Sequence, residues 1–190
     1  VLPIAAKETI LDRTTLARAI RTAAYLTGSF RLRSGKTSSF YWDKYRFESQ
    51  PDLLRAVTGE LARLLPTTRF DRLAGLELGG IPLATSLALA VGKPCLFVRK
   101  AAKDYGTCNV VEGGFNRGDR AVVIEDVITT AGQVVESVGL MRESGLVIDH
   151  VLCVIDRQQG GREKLDAIGC ELHSVFTLEE LERLAPAGTP

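Results

Sequence analysis

Between Leu73 and Ile155 short apolar runs alternate with helix-patterned segments, and this alternation leaves the chain very few architectures. Strands are predicted at Leu73–Leu78, Cys95–Val98, Ala121–Ile124 and Val147–Ile155, with helices at Pro82–Val91 and Gln133–Ser144. Val134, Val138 and Met141 fall on one face of the second helix, and Gly145 supplies its stop. Strand, helix, strand in repetition gives an α/β fold, a parallel sheet covered by helices on both faces with right-handed crossovers. Ligands of such sheets bind at the carboxyl ends of the strands, so the segments that follow each strand are where chemistry is sought.

The first 70 residues read differently. Residues 14–27 place Leu16, Ile20, Ala23 and Ala24 on one helical face, with Asp12 or Thr14 as cap and Gly28 as stop. From Ser29 to Ser49 a Ser/Thr-rich segment crowded with Phe40, Tyr41, Trp42, Tyr45 and Phe47 fits short strands or loops better than helix. Pro51 opens a helix carrying Leu54, Val57, Leu61 and Leu65, ended by Pro66. The end of the chain, after Leu184, is expected to fray.

Charge excludes some partners. Lys and Arg number 24 against 23 Asp and Glu, so no global field draws the chain to nucleic acid or to an anionic membrane, and any anion site must be local. Val1–Ile10 lacks a basic segment followed by an apolar run, which points away from secretion and from insertion in a membrane. Cys95, Cys108, Cys153 and Cys170 are widely spaced, with no CxxC and no histidine cluster beside them. They read as reduced thiols in a cytoplasmic protein, two disulfides being the other possibility.

Three segments after strands carry the chemistry. In Ala121-Val-Val-Ile-Glu125-Asp126-Val-Ile-Thr129-Thr130-Ala131-Gly132-Gln133 an apolar strand ends in two carboxylates, and a loop of small residues leads into a helix. Loop amides and a helix N-terminus make a nest for a phosphate, and acids beside it suit sugar hydroxyls or a cation. A plain Thr-capped turn would look the same. Leu78-Gly79-Gly80-Ile81-Pro82 is a second strand-to-helix turn, in which two glycines permit close backbone approach. Arg99-Lys100-Ala-Ala-Lys103-Asp-Tyr105-Gly106 sets three cations at the ligand edge of the sheet, where a merely solvated loop is the alternative.

The Ala121–Gln133 segment resembles the motif by which type I phosphoribosyltransferases bind phosphoribosyl pyrophosphate (PRPP). That resemblance implies contacts from Glu125 and Asp126 to the ribose hydroxyls, and a 5′-phosphate site formed by Thr129, Thr130, Ala131, Gly132 and Gln133. It assigns Gly79 and Gly80 to pyrophosphate. Phe30-Arg-Leu-Arg-Ser34-Gly35-Lys36-Thr-Ser-Ser39-Phe-Tyr41-Trp-Asp43 and Asp156-Arg157-Gln-Gln-Gly160 resemble signatures of the orotate phosphoribosyltransferases in particular. The likeness runs from about residue 16 to 165, nearly the whole chain. It implies an orotate site formed by Lys36, Thr129 and Arg157, and a mobile catalytic loop in which Arg99, Lys100 and Lys103 close over pyrophosphate across a homodimer interface. It also implies one domain over residues 1–190: an N-terminal helix and small hood over about 1–50, an α/β core over about 51–175, and a tail over 176–190.

The chain departs from the family pattern at Ala131, where many members have Gly; at Gly79, where several have Lys; and at Tyr105, where a His is common. A phenol donates a hydrogen bond but is a poor proton shuttle at neutral pH.

The implied reaction explains the residue types. Breaking the bond from C1′ to pyrophosphate leaves positive character on the ribose and negative charge on the leaving group. Arg99, Lys100, Lys103 and a Mg²⁺ ion neutralise that charge, with Asp126 also placed in the catalytic set. Mg²⁺ would be held through substrate and waters rather than by a protein cage. Orotate, already an anion, needs little base catalysis. A transferase for another base and a non-catalytic PRPP sensor are the rivals; a nicotinamide oxidoreductase is not, since no GxGxxG follows a strand.

Overall fold

A computed structural model of the chain describes residues 11–31, 35, 37–101 and 109–186. Its first helix, α1 (Arg13–Ala24), starts where the Asp12 carboxylate accepts hydrogen bonds from the Thr14 and Thr15 amides at 3.0 Å each. It buries Leu16, Ala17, Ile20, Ala23 and Ala24. The helix stops at Ala24 rather than at residue 27, because Tyr25–Arg31 forms a strand, β1, antiparallel to β2 (Thr37–Trp42). Tyr25 lies opposite Trp42, with ring centroids 5.6 Å apart, and stacks on Phe40 at 5.5 Å. Aromatic cross-strand pairs of this kind stabilise a ribbon that a helical continuation would forgo. Gly28 is thus a strand residue beside a register irregularity and not a helix stop. Tyr45–Glu48 forms one short helical turn, α2, where strand or loop was predicted.

α3 (Pro51–Leu64) begins on its proline and buries Leu53, Val57, Thr58 and Leu61. The alternating region then builds β3 (Arg72–Leu76), α4 (Gly80–Val91), β4 (Cys95–Val98), β5 (Val111–Glu112), β6 (Arg120–Ile128), α5 (Gly132–Glu143) and β7 (Val147–Asp156). After it come α6 (Gly161–Asp166), β8 (Glu171–Thr177) and α7 (Leu178–Leu184), so regular structure continues past residue 175. The six-stranded sheet has the order β5-β4-β3-β6-β7-β8 and is parallel except for the short β5.

Central strands are apolar on both sides because both sides are covered. Val122 and Ile124 of β6 face a core shared with α1, α3, α4 and α7, whereas Ala121 and Val123 face a second core closed by α5 and α6. The predicted sheet with a small N-terminal hood is therefore present, the hood being the β1–β2 ribbon and α2. One boundary moves in a way that matters: β6 does not end at Ile124. Its ladder with β7 continues through Glu125↔Cys153 and Val127↔Ile155 to Ile128↔Asp156, which places both acids inside the strand.

Candidate active site

Alternation along β6 sends Glu125 and Asp126 to opposite faces of the sheet. Glu125 is half-buried and lines a cavity of about 610 Å³ at the carboxyl ends of β3, β4 and β6. Asp126 has no exposed surface and joins the layer of Val122 and Ile124, where Lys44 Nζ approaches its two oxygens at 2.8 and 2.7 Å. The expectation that Asp126 faces the ribose is thus not met in this structure. Its carboxylate fills space beside the β3–α4 turn, and a Cβ on Gly79 would stand 1.6 Å from Asp126 Oδ2. A Cβ on Gly80 would stand 2.2 Å from the Ile124 carbonyl oxygen. The two glycines let this turn lie flush against β6. At that wall the cavity is lined by Glu77 and Leu78 rather than by Gly79 and Gly80.

Thr129, Thr130, Ala131, Gly132 and Gln133 all line the same cavity. They lead into α5, whose first turn has neither a side-chain cap nor an acidic residue. The orphan amides of a helix start, together with the positive end of its dipole, favour an anion there. Ala131 enters the helix in the left-handed region, with φ 54° and ψ 10°, the conformation in which its methyl is a handicap and glycine is not. Arg99 and Lys100 complete the basic wall, with Arg99 Nε held 3.2 Å from Glu112 Oε1. Lys103, Tyr105 and Gly106 of the basic loop, and Ser34 and Lys36 of the hood, lie outside the described residues.

A second cavity, of about 350 Å³, opens beneath the hood between the aromatic side chains of Phe40, Tyr41 and Trp42 and the Arg157 turn after β7. Lys44, Val127 and Thr129 line both cavities, so the two share a wall. A phosphate-type nest with cations on one side of that wall and a flat aromatic slot with an arginine on the other can seat a phosphorylated sugar and a planar anion next to one another.

Behind the wall sits a tight charge cluster. Burial works to lower the Lys44 ammonium, but the nearby Asp126 and Glu125 outweigh it and hold the group above its usual value. Burial in turn pushes the Glu125 carboxyl well above the ordinary range, and the hydrogen bond that its protonated form donates to Asp126, together with the charge of Asp126, adds to the rise. Glu48 of α2 is 5% exposed, neither of its carboxylate oxygens has a hydrogen-bond partner among the described residues, and burial followed by the charge of Asp126 raises it to about 8. Two carboxylates close together and away from water cannot both ionise cheaply.

The structure brings together Glu125, Thr129–Gln133, Arg99 and Lys100 around one cavity and puts Arg157 in its neighbour. Sequence reasoning missed Lys44, Glu48 and Glu77. Lys44 directly follows the Tyr41-Trp-Asp43 run, a position that could have marked it, but its partner Asp126 is 82 residues away.

No family model matches the chain. It is 46% identical over 174 residues to an orotate phosphoribosyltransferase of a Nocardioides species, covering 92% of this chain and 97% of that protein. The crystal structure of orotate phosphoribosyltransferase from Aeropyrum pernix, 33% identical, superposes with a TM-score of 0.77 over 88% of this chain and 96% of the other. The Mycobacterium tuberculosis orotate phosphoribosyltransferase in complex with PRPP, 28% identical, gives a TM-score of 0.76 over 90% and 99% of the two chains.

Proposed function

The chain belongs to the orotate phosphoribosyltransferase family, and on that premise we propose how its two joined cavities divide the substrates. The enzyme is a glycosyltransferase that passes the phosphoribosyl group of PRPP to orotate, giving orotidine 5′-monophosphate and pyrophosphate. This reading prevails over a transferase for another base and over a PRPP sensor.

The larger cavity takes PRPP. Its 5′-phosphate sits on Thr129–Gln133 at the start of α5, its ribose lies near Glu125, and its pyrophosphate points to the wall of Glu77, Leu78, Arg99 and Lys100. The smaller cavity takes orotate, flat against Phe40, Tyr41 or Trp42, with Arg157 and Lys44 facing its negative charge. The observation that carries this assignment is the shared wall of Lys44, Val127 and Thr129, which brings a base in one cavity next to a ribose in the other. Holding the reactants in contact contributes much of the rate by itself, and the fixed cations favour charge as it develops on the leaving group. Lys103, farther along the same basic loop, joins the cations of the site in the second copy of the chain. Lys44 also neutralises Asp126, so that no unbalanced negative charge lies under the incoming PRPP.

Among the described residues Glu77 and Glu125 are the two carboxylates on the wall of the PRPP cavity, too few to cage a cation. They suit a Mg²⁺ ion that takes most of its ligands from substrate oxygens and water, and that ion would add neutralising charge at the pyrophosphate. A homodimer with the basic loop crossing to its partner belongs to the same proposal. Exposed Leu78 beside the cavity and Leu89 on α4 offer apolar surface for a second copy. A cytoplasmic setting accords with the free thiols of Cys95, Cys153 and Cys170. Among the described residues no helix is long and apolar enough to cross a membrane.

The assignment is tested by the choice of base. Uracil lacks the carboxylate and would leave Arg157 unpaired, a mismatch worth about 10²-fold or more in kcat/KM. Orotate should exceed uracil by that margin, with hypoxanthine and adenine unused, and Arg157→Ala should erase the preference while PRPP affinity persists. Equal use of uracil by the wild type, or unchanged orotate kinetics in the variant, would remove orotate from this cavity.

A further inference from the structure

At the opposite end of the sheet β7 and β8 bring together both of the chain's two histidines. In the parallel ladder His150 pairs with Glu171 and Leu152 with His173, so His150, Glu171 and His173 share one face. His150 Nδ1 lies 3.7 Å from Glu171 Oε2, His173 Nε2 lies 3.4 Å from Glu171 Oε1, and the imidazole centroids are 5.8 Å apart. All three potential ligand atoms fall within 4.8 Å of one another.

The His150 Nδ1 atom is buried and has no hydrogen-bond partner among the described residues. At 3.7 Å the Glu171 carboxylate is too far to supply one. Burying such a nitrogen without a partner is unfavourable, and a cation between the imidazole and the carboxylate would satisfy both.

We propose that His150, Glu171 and His173 form a binding site for a borderline divalent transition-metal ion, with Zn²⁺ as the occupant and water in the fourth position. Two ligands 2.1 Å from a tetrahedral Zn²⁺ stand about 3.4 Å apart, close to the spacing already present, so small side-chain rotations complete the site. Two imidazoles with one carboxylate select Zn²⁺, Ni²⁺ or Cu²⁺ over Mg²⁺, which prefers oxygen. The site is separate from the catalytic cavities: His150 precedes Asp156 by six strand positions on β7, about 20 Å along an extended chain. Bound metal would cross-link the edge strand β8 to β7 and stabilise the fold without touching turnover.

The test uses the full chain, freed of metal by a chelator and without PRPP, titrated with Zn²⁺ in the calorimeter under excess Mg²⁺. One equivalent should bind. At a hundredfold excess over Kd the melting midpoint should rise by about 5 °C or more. His173→Ala should weaken Zn²⁺ binding at least tenfold and abolish the rise while kcat with orotate stays at the wild-type level. Glu171→Gln changes an exposed side chain, so its fold is not at issue, and it should weaken binding too. Absence of saturable binding, an unchanged or lowered midpoint, or binding that survives intact in both variants would each overturn the proposal; the last would move the metal to the thiols or to the cavity carboxylates.

Discussion

Ala131 and Glu48 show how single residues here hold conformations or charge states that their chemistry disfavours. The left-handed backbone of Ala131, at φ 54°, costs an L-residue about 1–2 kcal/mol. Glycine avoids that cost but gives up about 0.4–1 kcal/mol through the greater freedom of the unfolded chain. Ala131→Gly should therefore stabilise the protein by roughly 0.5–1 kcal/mol, raising the thermal midpoint by about 1–4 °C; a lowered midpoint would mean that the methyl's packing outweighs the strain. Glu48 makes a prediction in pH. Its folded pKa, about 8, lies above the ordinary 4.5, so the fold holds the proton more tightly than the unfolded chain does. The stability linked to that proton is complete below about 4.5 and is lost as pH rises through about 8. Glu48→Gln has no proton to lose there. Denaturant midpoints of variant and wild type, compared from about pH 5 to about pH 9, should move apart in the variant's favour. Parallel curves would show that Glu48 ionises normally.

At the scale of elements, the β3–α4 turn illustrates how closely neighbouring pieces are fitted. Gly79→Ala places a Cβ 1.6 Å from the carboxylate of Asp126, itself fixed by Lys44, so the turn must lift off β6. A loss of about 2–3 kcal/mol is expected. Gly139→Ala, on α5 with none of the described residues within 4 Å of its Cβ, should instead be neutral or stabilise by about 0.5–1 kcal/mol. Comparing the two urea midpoints checks the contrast, which disappears if Asp126 can swing away freely. What the sequence made legible follows the same division between local and distant causes. β4 at Cys95–Val98 and the start of β7 at Val147 were readable because a run of apolar residues is a local signal. The extension of β6 to Ile128 was not, since Glu125 and Asp126 look like a strand end until β7 is known to run beside them. The ribbon pairing Tyr25 with Trp42 was hidden for the same reason: its stabilisation comes from across the ribbon, while the local pattern of Leu16, Ile20, Ala23 and Ala24 favours helix. In the site, the segment Thr129–Gln133 and Arg157 stood out as motifs and both line cavities, but the surroundings of Lys44 and Glu48 depend on Asp126, which approaches them only in the folded chain.

For the whole molecule, the proposed homodimer divides the groups that a turnover needs between two chains. In the proposed arrangement Glu125 and the loop Thr129–Gln133 serve the PRPP of their own chain, whereas the basic run containing Lys103 closes over the partner's pyrophosphate. The two halves of the site can then be inactivated separately. Lys103→Ala should lower kcat by roughly 10²-fold by removing a cation that meets charge in the transition state, and Glu125→Gln should impair the ribose site. Each homodimer would be defective in both of its sites. In a mixed dimer that shares loops, one site collects both substitutions and the other receives neither. With equal amounts of the two chains and random exchange, half the dimers are mixed and half of their sites are intact, so activity returns to about a quarter of the wild-type value per chain. Differently tagged variants expressed together and purified through both tags isolate the mixed species, which should reach about half. If the loop serves its own chain, the mixed dimer stays as inactive as its parents and each protomer is a complete enzyme. Because a restored site requires a wild-type loop and a wild-type pocket from different chains, recovery would establish both the dimer and the crossing of the loop in one measurement.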